Sequence, residues 1–498
     1  MRDWILVLPE ITLALTLSGL IACEIAYRGE RVRLVSMIAL FGLAAAFFQT
    51  IVAQRYAGAV TAAGALAVDG LSGYFRLFFI ALAFLVSSMT VFTREISGRQ
   101  RTEYFAFVTA AALAMCLAAS AADFMVVFLS LQFVNLIGYF MAGYSKDRAV
   151  STEAAVKFMV FGAVSSVVLL YAVAVLFSVS GTLDIYSIPS SVGAQPAAYR
   201  SSLLIMVLLF LSLSFYLGMF PMHLWMPDVM QGVPLPTAAF LSLGLPAVGF
   251  SVLLRLLLVV FSAKGTEGHV AWPFYGEGGW SEVLALASGT TMLAGALVAM
   301  RQASAKRMMA GLVASHLGLL LMGALVLNAD GISAVVFNLT AQLFALVGVF
   351  CSLSFLYDRL GTDRLEHFRG VLYRAIPECV CLILFLACFV GFPPFPGFLG
   401  RFLLIGAAVH EHWYVLAIVA TISTVVSIAA FLRLATSLAG PIPDGRVRGF
   451  AAASGTAAAT ATGQRAFLTL LLLPLIFLTL FAHSALQWVH QALQFQLW

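Results

Sequence analysis

About fourteen apolar runs, each long enough to cross a membrane, follow one another along this chain. A helix needs about 20 apolar residues to cross a hydrocarbon layer of about 30 Å. The runs lie at 4–27, 34–53, 72–93, 104–121, 123–144, 152–179, 202–221, 235–261, 283–300, 308–327, 332–356, 377–405, 408–436 and 466–490. With 62% apolar and 10% charged residues, the chain is too apolar for a soluble domain. The sequence predicts an all-α polytopic membrane protein and excludes an outer-membrane barrel, whose strands alternate over about ten residues.

Basic residues collect on one side of the predicted bundle. If the N-terminus lies outside, eighteen of the 27 basic residues fall in odd-numbered connections and four in outer segments. Cytoplasmic loops carry the excess of Lys and Arg, so both termini are predicted on the outer side. The first run lacks a small-residue cleavage site and is expected to remain as a span. The net charge of +5 therefore reflects membrane orientation and predicts no nucleic-acid partner.

Six cysteines lie inside apolar runs. None belongs to a CxxC motif or to a Cys/His ligand spacing, so the sequence predicts neither a metal site nor a disulfide framework. They are Cys23, Cys116, Cys351, Cys379, Cys381 and Cys388.

Two runs are interrupted at membrane depth. The seventh contains Gly218 and Pro221, and the twelfth contains Pro393, Pro394 and Pro396. Proline removes a backbone donor and clashes with the preceding helical turn. Such breaks are tolerated only where the freed backbone groups face protein or a watery cavity. Helices seven and twelve are therefore predicted to be broken.

The two breaks divide the chain into corresponding halves. Short segments interrupted by Gly or Pro at corresponding positions indicate the inverted repeats of a transporter. Helices four to eight, in 104–262, and helices nine to thirteen, in 283–436, are the predicted repeats. Residues 1–103 hold three N-terminal helices, 437–465 form a cytoplasmic loop, and 466–498 hold the last helix.

Five segments together resemble one family. They are VDGLSGYF at 68–75, EAAVKF at 153–158, FPMHLWMPDVMQGVPLPT at 220–237, KRMMAGLVASHLG at 306–318 and GFPPFPGFLGRF at 391–402. Their order and spacing look like the antiporter-like membrane subunits of respiratory complex I, the NADH:quinone oxidoreductase. The stretch 227–236 is more similar to subunit N than to subunits L and M.

This resemblance implies fourteen helices with two inverted five-helix repeats, in the membrane arm of the complex in a bacterial inner membrane. The termini would then be periplasmic, and the partners would be lipid and other antiporter-like and small membrane subunits. No flavin, iron–sulfur cluster or quinone site is implied on this chain. NADH, FMN, iron–sulfur clusters and quinone would belong to the whole complex, and redox events elsewhere would drive proton transport here.

In the family, buried charges run along mid-membrane. The family's glutamate on helix five matches Gln132 in this chain. Its lysines on helices six, seven, eight and twelve match, in that order, Lys157, Tyr216, Pro246 and Arg401. The match also includes His316 on helix ten. Glutamine does not titrate, tyrosine releases its proton only at about pH 10, and arginine stays protonated. The first half therefore lacks its Glu–Lys switch.

The retained groups have alternative roles. Lys157 is either a functional group, with Glu153 one turn away, or a lysine that reaches toward water. His316 is either a proton relay or a packed histidine that bridges carbonyls of a broken helix. Arg401 is either a fixed charge for an acidic group of a neighbouring subunit or an outlet gate.

Other charged residues are expected to have structural roles. Asp69 is predicted to cap helix three, and Asp123 to favour the start of helix five. Glu10 is expected at the bundle edge in an interface pair, and Arg255 near water at a helix end. His223 and Asp228 are expected to cap a loop or contact another subunit.

Three functions remain open from the sequence. In the first, Lys157, His316 and Arg401, joined by waters and Tyr216, carry protons within the complex. In the second, a subunit that has lost pumping acts as a spacer between its neighbours. In the third, the chain is a cation/proton antiporter-type subunit of another membrane complex, which the missing acidic residues disfavour.

Overall fold

The computed structural model describes residues 2–26, 32–56, 59–61, 64–96, 99–145, 148–189, 198–261, 263–264, 270–271, 279–441 and 455–494. The unbroken helices are α1 Arg2–Ala26, α2 Val32–Gln54, α3 Gly70–Phe92, α4 Arg99–Ser120, α5 Phe124–Ala142, α6 Ala149–Ser180, α8 Leu235–Arg255, α9 Trp280–Arg301, α10 Ala305–Leu325, α11 Ala329–Leu360 and α13 Tyr414–Ala439. The divided helices are α7a Ala198–Tyr216 and α7b Trp225–Gly232, α12a Ile376–Val390 and α12b Pro396–His410, and α14a Gly455–Leu480 and α14b Ala482–Gln494.

Short elements complete the chain. The π-helical turn Leu256–Val260 extends α8, and 3₁₀ turns lie at Met222–Leu224, Leu365–Phe368 and Val371–Tyr373. Strand β1 (Ala59–Thr61) pairs with β2 (Leu66–Val68), and β3 (Ala263–Lys264) pairs with β4 (Val270–Ala271); both pairs are antiparallel.

The helices confirm the predicted polytopic membrane fold. In the described part of the chain, 12 helices are long and apolar enough to cross a membrane. The two broken helices, α7a–α7b and α12a–α12b, account for the other two predicted runs. The last run is divided at Phe481 into α14a and the amphipathic α14b.

The predicted loop 437–465 was wrong at both ends. Helix α13 continues to Ala439, and α14a begins at Gly455 because the Ala-rich stretch there favours a helix. Residues 442–454 of that loop and the terminal residues 495–498 lie outside the described residues.

Alternate connections meet at opposite ends of the bundle. At one end, the backbones of Ser304 and Arg364 form an isolated antiparallel β-bridge, and the Arg94 amide donates to Asp358 Oδ2 at 3.1 Å. At the other end, the backbones of Asp123 and Asp184 form an isolated antiparallel β-bridge. This grouping is what successive single crossings of the bundle produce.

Three helices form the centre of the bundle. All of the most apolar 18-residue window of α10 is buried, as is 89% of the corresponding windows of α8 and α11. In α1, α2, α6 and α14a, only 33% is buried, so these helices present apolar side chains to lipid or to neighbouring subunits. The centre of the bundle is therefore where a transport path would be shielded from lipid.

Two charged residues lie deeper than expected. Glu10 was predicted at the bundle edge, but it is buried and its Oε1 lies 2.8 Å from Arg76 Nη2. Arg255 was predicted to reach water, but its guanidinium binds both carboxylate oxygens of Asp69, at 2.9 and 3.2 Å. Both predictions were wrong because position along a helix does not reveal which helices surround it.

Asp69 performs two functions at the start of α3. It caps the helix through the Ser72 amide, as predicted, and it also holds Arg255. Burial raises the pKa of Asp69, but the charge and hydrogen bonds of Arg255, with those of Ser72, outweigh it and leave the pKa below its usual value. Asp123 likewise caps α5, through the Met125 amide at 2.7 Å.

Acid should weaken this junction. Because the folded-state pKa of Asp69 is lowered, its contribution is present above the unfolded pKa of about 3.9 and is lost as pH falls below it. We expect Asp69→Asn to lower the unfolding temperature at neutral pH and to flatten its decline with acid, measured on purified protein in detergent. Exposed Asp330, changed to Asn, is the matched control. An equal decline in Asp69→Asn and the unaltered protein would contradict the assignment.

Candidate functional site

Both broken helices contain a left-handed glycine at the end of the first segment. Gly218 has φ +60° after α7a, and Gly391 has φ +81° after α12a. A Cβ at Gly391 would lie 2.4 Å from Arg401 Cδ, so glycine gives that side chain its room. The breaks thus place non-helical backbone beside buried side chains in the middle of the bundle.

The predicted prolines lie in these interruptions. Pro221 precedes the 3₁₀ turn, Pro393 and Pro394 form the second connection, and Pro396 begins α12b. Proline suits a first helical position because its missing N–H has no helical partner there. The breaks in helices seven and twelve are confirmed.

Side chains satisfy groups freed by the breaks. Phe220 N donates to Thr291 Oγ1 at 2.9 Å, and Trp225 Nε1 donates to Phe215 O at 3.2 Å. In the second break, Arg401 Nη2 donates to Phe389 O at 3.1 Å. The irregular backbone is therefore held inside protein, as an interruption at membrane depth requires.

Neutral hydrogen bonds occupy the middle of the first repeat. Gln132 Oε1 accepts from Ser166 Oγ at 2.7 Å, and Asn135 Nδ2 donates to the buried Tyr216 Oη at 2.7 Å. No hydrogen bond links Gln132 to Tyr216 in the described structure, and Pro246 lies buried within α8. These groups lack the carboxylate and amine that a Glu–Lys switch requires.

Lys157 is neither buried nor unpaired. Its side chain is 41% exposed, and its Nζ lies 2.6 Å from Asp228 Oδ2 and 2.7 Å from Glu153 Oε1. Asp228 Oδ1 also lies 3.0 Å from Arg307 Nη2. The expectation of a loop cap at Asp228 was wrong, because Asp228 lies inside α7b, which the break brings beside α6. No local pattern in the sequence could reveal this contact.

His316 and Arg401 lie in the middle of the second repeat. The His316 ring is buried 5.4 Å from the Phe389 ring, and neither ring nitrogen has a hydrogen-bond partner in the described structure. Arg401 donates from Nη1 to Thr424 Oγ1 at 3.1 Å, in addition to the Phe389 carbonyl. No hydrogen bond from His316 to a broken-helix carbonyl is present in the described structure, so the packed-histidine alternative lacks its contact.

Further buried polar atoms lack a protein partner. They are Gln132 Nε2, Asn135 Oδ1, Ser315 Oγ, Asn338 Oδ1 and Nδ2, Gln342 Nε2 and Arg401 Nε. A buried polar atom without a hydrogen bond costs roughly 1–3 kcal/mol, and ordered water is its usual partner. These atoms mark positions in both repeats where water could continue a proton path between side chains.

Two charged residues at one end of the bundle are not among the predicted site residues. Lys306 belongs to α10 and is buried, and Glu95 lies beside it. The sequence signal that could have found Lys306 is the scarcity of lysine in the chain.

Metal-ligating residues are not grouped in the described part of the chain. No cluster of three or more His, Cys, Asp or Glu side chains could hold a metal ion there. All six cysteines are free thiols.

Comparisons with known proteins give a consistent result. The family described as NADH:quinone oxidoreductase/Mrp antiporter, transmembrane, matches residues 121–427. NADH-quinone oxidoreductase subunit N of Chlorobium chlorochromatii is 29% identical over 436 residues, covering 86% of this chain and 83% of that protein. NAD(P)H-quinone oxidoreductase subunit 2 of Prochlorococcus marinus is 30% identical over 429 residues, covering 86% and 79%.

Solved structures share the whole fold. A chain of respiratory complex I from Thermus thermophilus is 25% identical, with a TM-score of 0.76, and the match covers 96% of this chain and 98% of that chain. A chain of the Mrp complex from Dietzia is 17% identical, with a TM-score of 0.80 and coverage of 99% and 96%. The second likeness concerns the fold alone.

Proposed function

Because this chain belongs to the family of NADH:quinone oxidoreductase and Mrp antiporter membrane subunits, we propose that it is the antiporter-like subunit N of an NADH:quinone oxidoreductase. The enzyme to which it contributes is a proton-translocating oxidoreductase, and its partners are the other membrane-arm subunits and lipid. NADH, FMN, iron–sulfur clusters and quinone act elsewhere in that complex. The 86% coverage by subunit N and subunit 2 relatives supports this placement.

The membrane placement follows from the charge distribution. The chain is a multi-pass membrane protein, and we propose a bacterial inner membrane with both termini on the periplasmic side. The excess of basic residues in the odd-numbered connections supports this orientation. The corresponding positions of Gly218 and Gly391 support 104–262 and 283–436 as the two repeats.

His316 is the observation that carries the proton-transport role. It is buried in the central helix α10, and both ring nitrogens are free to bond to water. Histidine can accept and release protons near neutral pH, whereas Arg401 stays protonated. We therefore assign proton transfer to His316 and a fixed positive charge to Arg401, which disfavours a second cation beside it.

A spacer function is the second candidate, and the first repeat favours it. Gln132, Tyr216 and Pro246 replace the groups that would titrate there, and Lys157 lies at the surface in a charge cluster. In this alternative, the chain joins neighbouring antiporter-like subunits without moving protons. An antiporter-type subunit of another complex is less well supported, because the likeness to the Mrp chain concerns the fold alone.

Membership of the complex can be tested by isolation. We expect a tagged chain, purified in mild detergent, to carry NADH-dependent quinone reduction with it. A tagged membrane protein of unrelated family from the same cells is the control and should carry none. An inactive eluate, with the activity left in the flow-through, would overturn the placement in this enzyme.

A further inference from the structure

Lysine is scarce in this chain, and one described lysine side chain is buried. The sequence has four lysines, Lys146, Lys157, Lys264 and Lys306, and the structure describes the side chains of Lys157 and Lys306. The Lys157 side chain is 41% exposed, whereas that of Lys306 is 5% exposed. A desolvated lysine can exchange its proton, which arginine cannot do in a protein. Lys306 is therefore the described amine best placed for buried proton transfer.

The closest hydrogen bond of the Lys306 ammonium is to a backbone carbonyl and not to a carboxylate. Its Nζ donates to Val233 O at 2.8 Å and lies 5.1 Å from the centre of the Tyr357 ring. The nearest carboxylate oxygen in an ion pair is Glu95 Oε1, at 3.7 Å, beyond the usual distance of a charge-assisted hydrogen bond. Lys306 thus faces a carboxylate without being locked to it.

Only one of the two carboxylate oxygens of Glu95 has a hydrogen-bond partner in the described structure. Its Oε2 accepts from Leu235 N, at the start of α8, while its buried Oε1 has no hydrogen-bond partner in the described structure. The side chain is 6% exposed. The oxygen that faces Lys306 is therefore available to water or to a proton.

The buried Arg76–Glu10 pair shows what a fixed pair in this chain looks like. Its charged atoms lie 2.8 Å apart, and Arg76 Nε also donates to Ser120 Oγ at 2.7 Å. Because arginine keeps its proton, Arg76 cannot pass one on. The longer separation and the lysine distinguish Glu95–Lys306 from it.

A cavity adjoins the Lys306 side of the pair. It has a volume of about 10 Å³, and its lining includes Lys306, Tyr357 and Asp363. This volume is about what one water molecule requires. The pair itself joins the connection after α3, the start of α8 and the start of α10.

We propose that Glu95 and Lys306 form the proton-loading pair of the second repeat, a role that rests on the proposed function. The charged Lys306 ammonium passes one proton to water on the His316 side and becomes a neutral amine. One proton from cytoplasmic water then restores the ammonium, and the Glu95 carboxylate stabilises that charged form. His316 lies ten residues further along α10, a rise of about 15 Å, which bridging waters would have to span.

Conservative substitutions separate proton transfer from structure. Glu95→Gln keeps the size and the acceptor for the Leu235 amide but removes the charge, and Lys306→Arg keeps the charge but cannot give up its proton. The matched control is Glu366→Gln, an exposed carboxylate in the connection after α11. Each variant is studied in the whole complex in inverted membrane vesicles, and protons moved per NADH oxidised are measured with the amount of assembled complex.

We expect Glu95→Gln and Lys306→Arg each to lower the proton ratio to the level of His316→Ala, while Glu366→Gln keeps the parent ratio. A parent-level ratio in Lys306→Arg or Glu95→Gln, with a lowered ratio in His316→Ala, would overturn the loading pair alone. Parent-level ratios in all variants would overturn proton conduction by this chain and the pair with it. Failure of both pair variants to assemble would make the pair structural and would also overturn the proposal.

Discussion

Vesicles whose complex carries Arg401→Met should lose the whole share of protons that passes through this chain, while electron transfer by the assembled complex continues. The fixed charge at the second break is removed, together with the hydrogen bonds to Thr424 and to the Phe389 carbonyl. Methionine fills much of the arginine volume, so the loss concerns charge more than packing. His316→Ala should give the same loss by removing the titratable group itself.

The measurement compares two rates in one preparation. Proton uptake, followed with a pH-sensitive dye, is divided by the rate of NADH oxidation, and the complex content is checked in parallel. Ser427→Ala is the control, because this buried serine of α13 bonds only to the Ser423 carbonyl among described residues. A parent-level ratio in both Arg401→Met and His316→Ala would support the spacer function.

Glu10→Ala should destabilise the N-terminal part of the bundle by about 3–5 kcal/mol, because it leaves the buried Arg76 guanidinium without its counter-charge. The double variant Glu10→Leu with Arg76→Met should recover most of that loss, since apolar replacement of a whole buried pair is often neutral. The unfolding temperature in detergent and the amount of chain assembled into the complex both report the change.

An exposed acidic residue provides the comparison. Changing Glu282, in the first turn of α9, to Ala should lower the free energy of unfolding by less than about 1 kcal/mol. If Glu10→Ala also cost less than about 1 kcal/mol, Arg76 would have to be satisfied by its bonds to Ser120 and to the Leu6 carbonyl alone.

The spans and their breaks could be predicted because their causes are local. Apolar length determines a crossing helix, and Pro221 or Pro394 interrupts one wherever it occurs. The site was predicted less completely. Lys157 and Asp228 are 71 positions apart, and only the fold of α7b beside α6 brings them together.

The sequence also did not indicate which charged side chains are buried. Arg255 and Lys306 lie near a helix end, where a long side chain usually reaches water, and Glu10 lies on the outer helix α1. Their burial depends on the neighbouring helices, which hydropathy along one helix cannot identify. His316 and Arg401 were identified because a family resemblance supplied the position, and the structure then supplied their surroundings.

Helix α7b connects the charged residues of α6 with those of α10. It has eight residues, its Asp228 is held by Lys157 and Arg307, and the Val233 carbonyl at its end is held by Lys306. A displacement of α7b would therefore pull on α6 and α10 at the same time. Movement in the first repeat would in this way reach α10, the helix that carries His316.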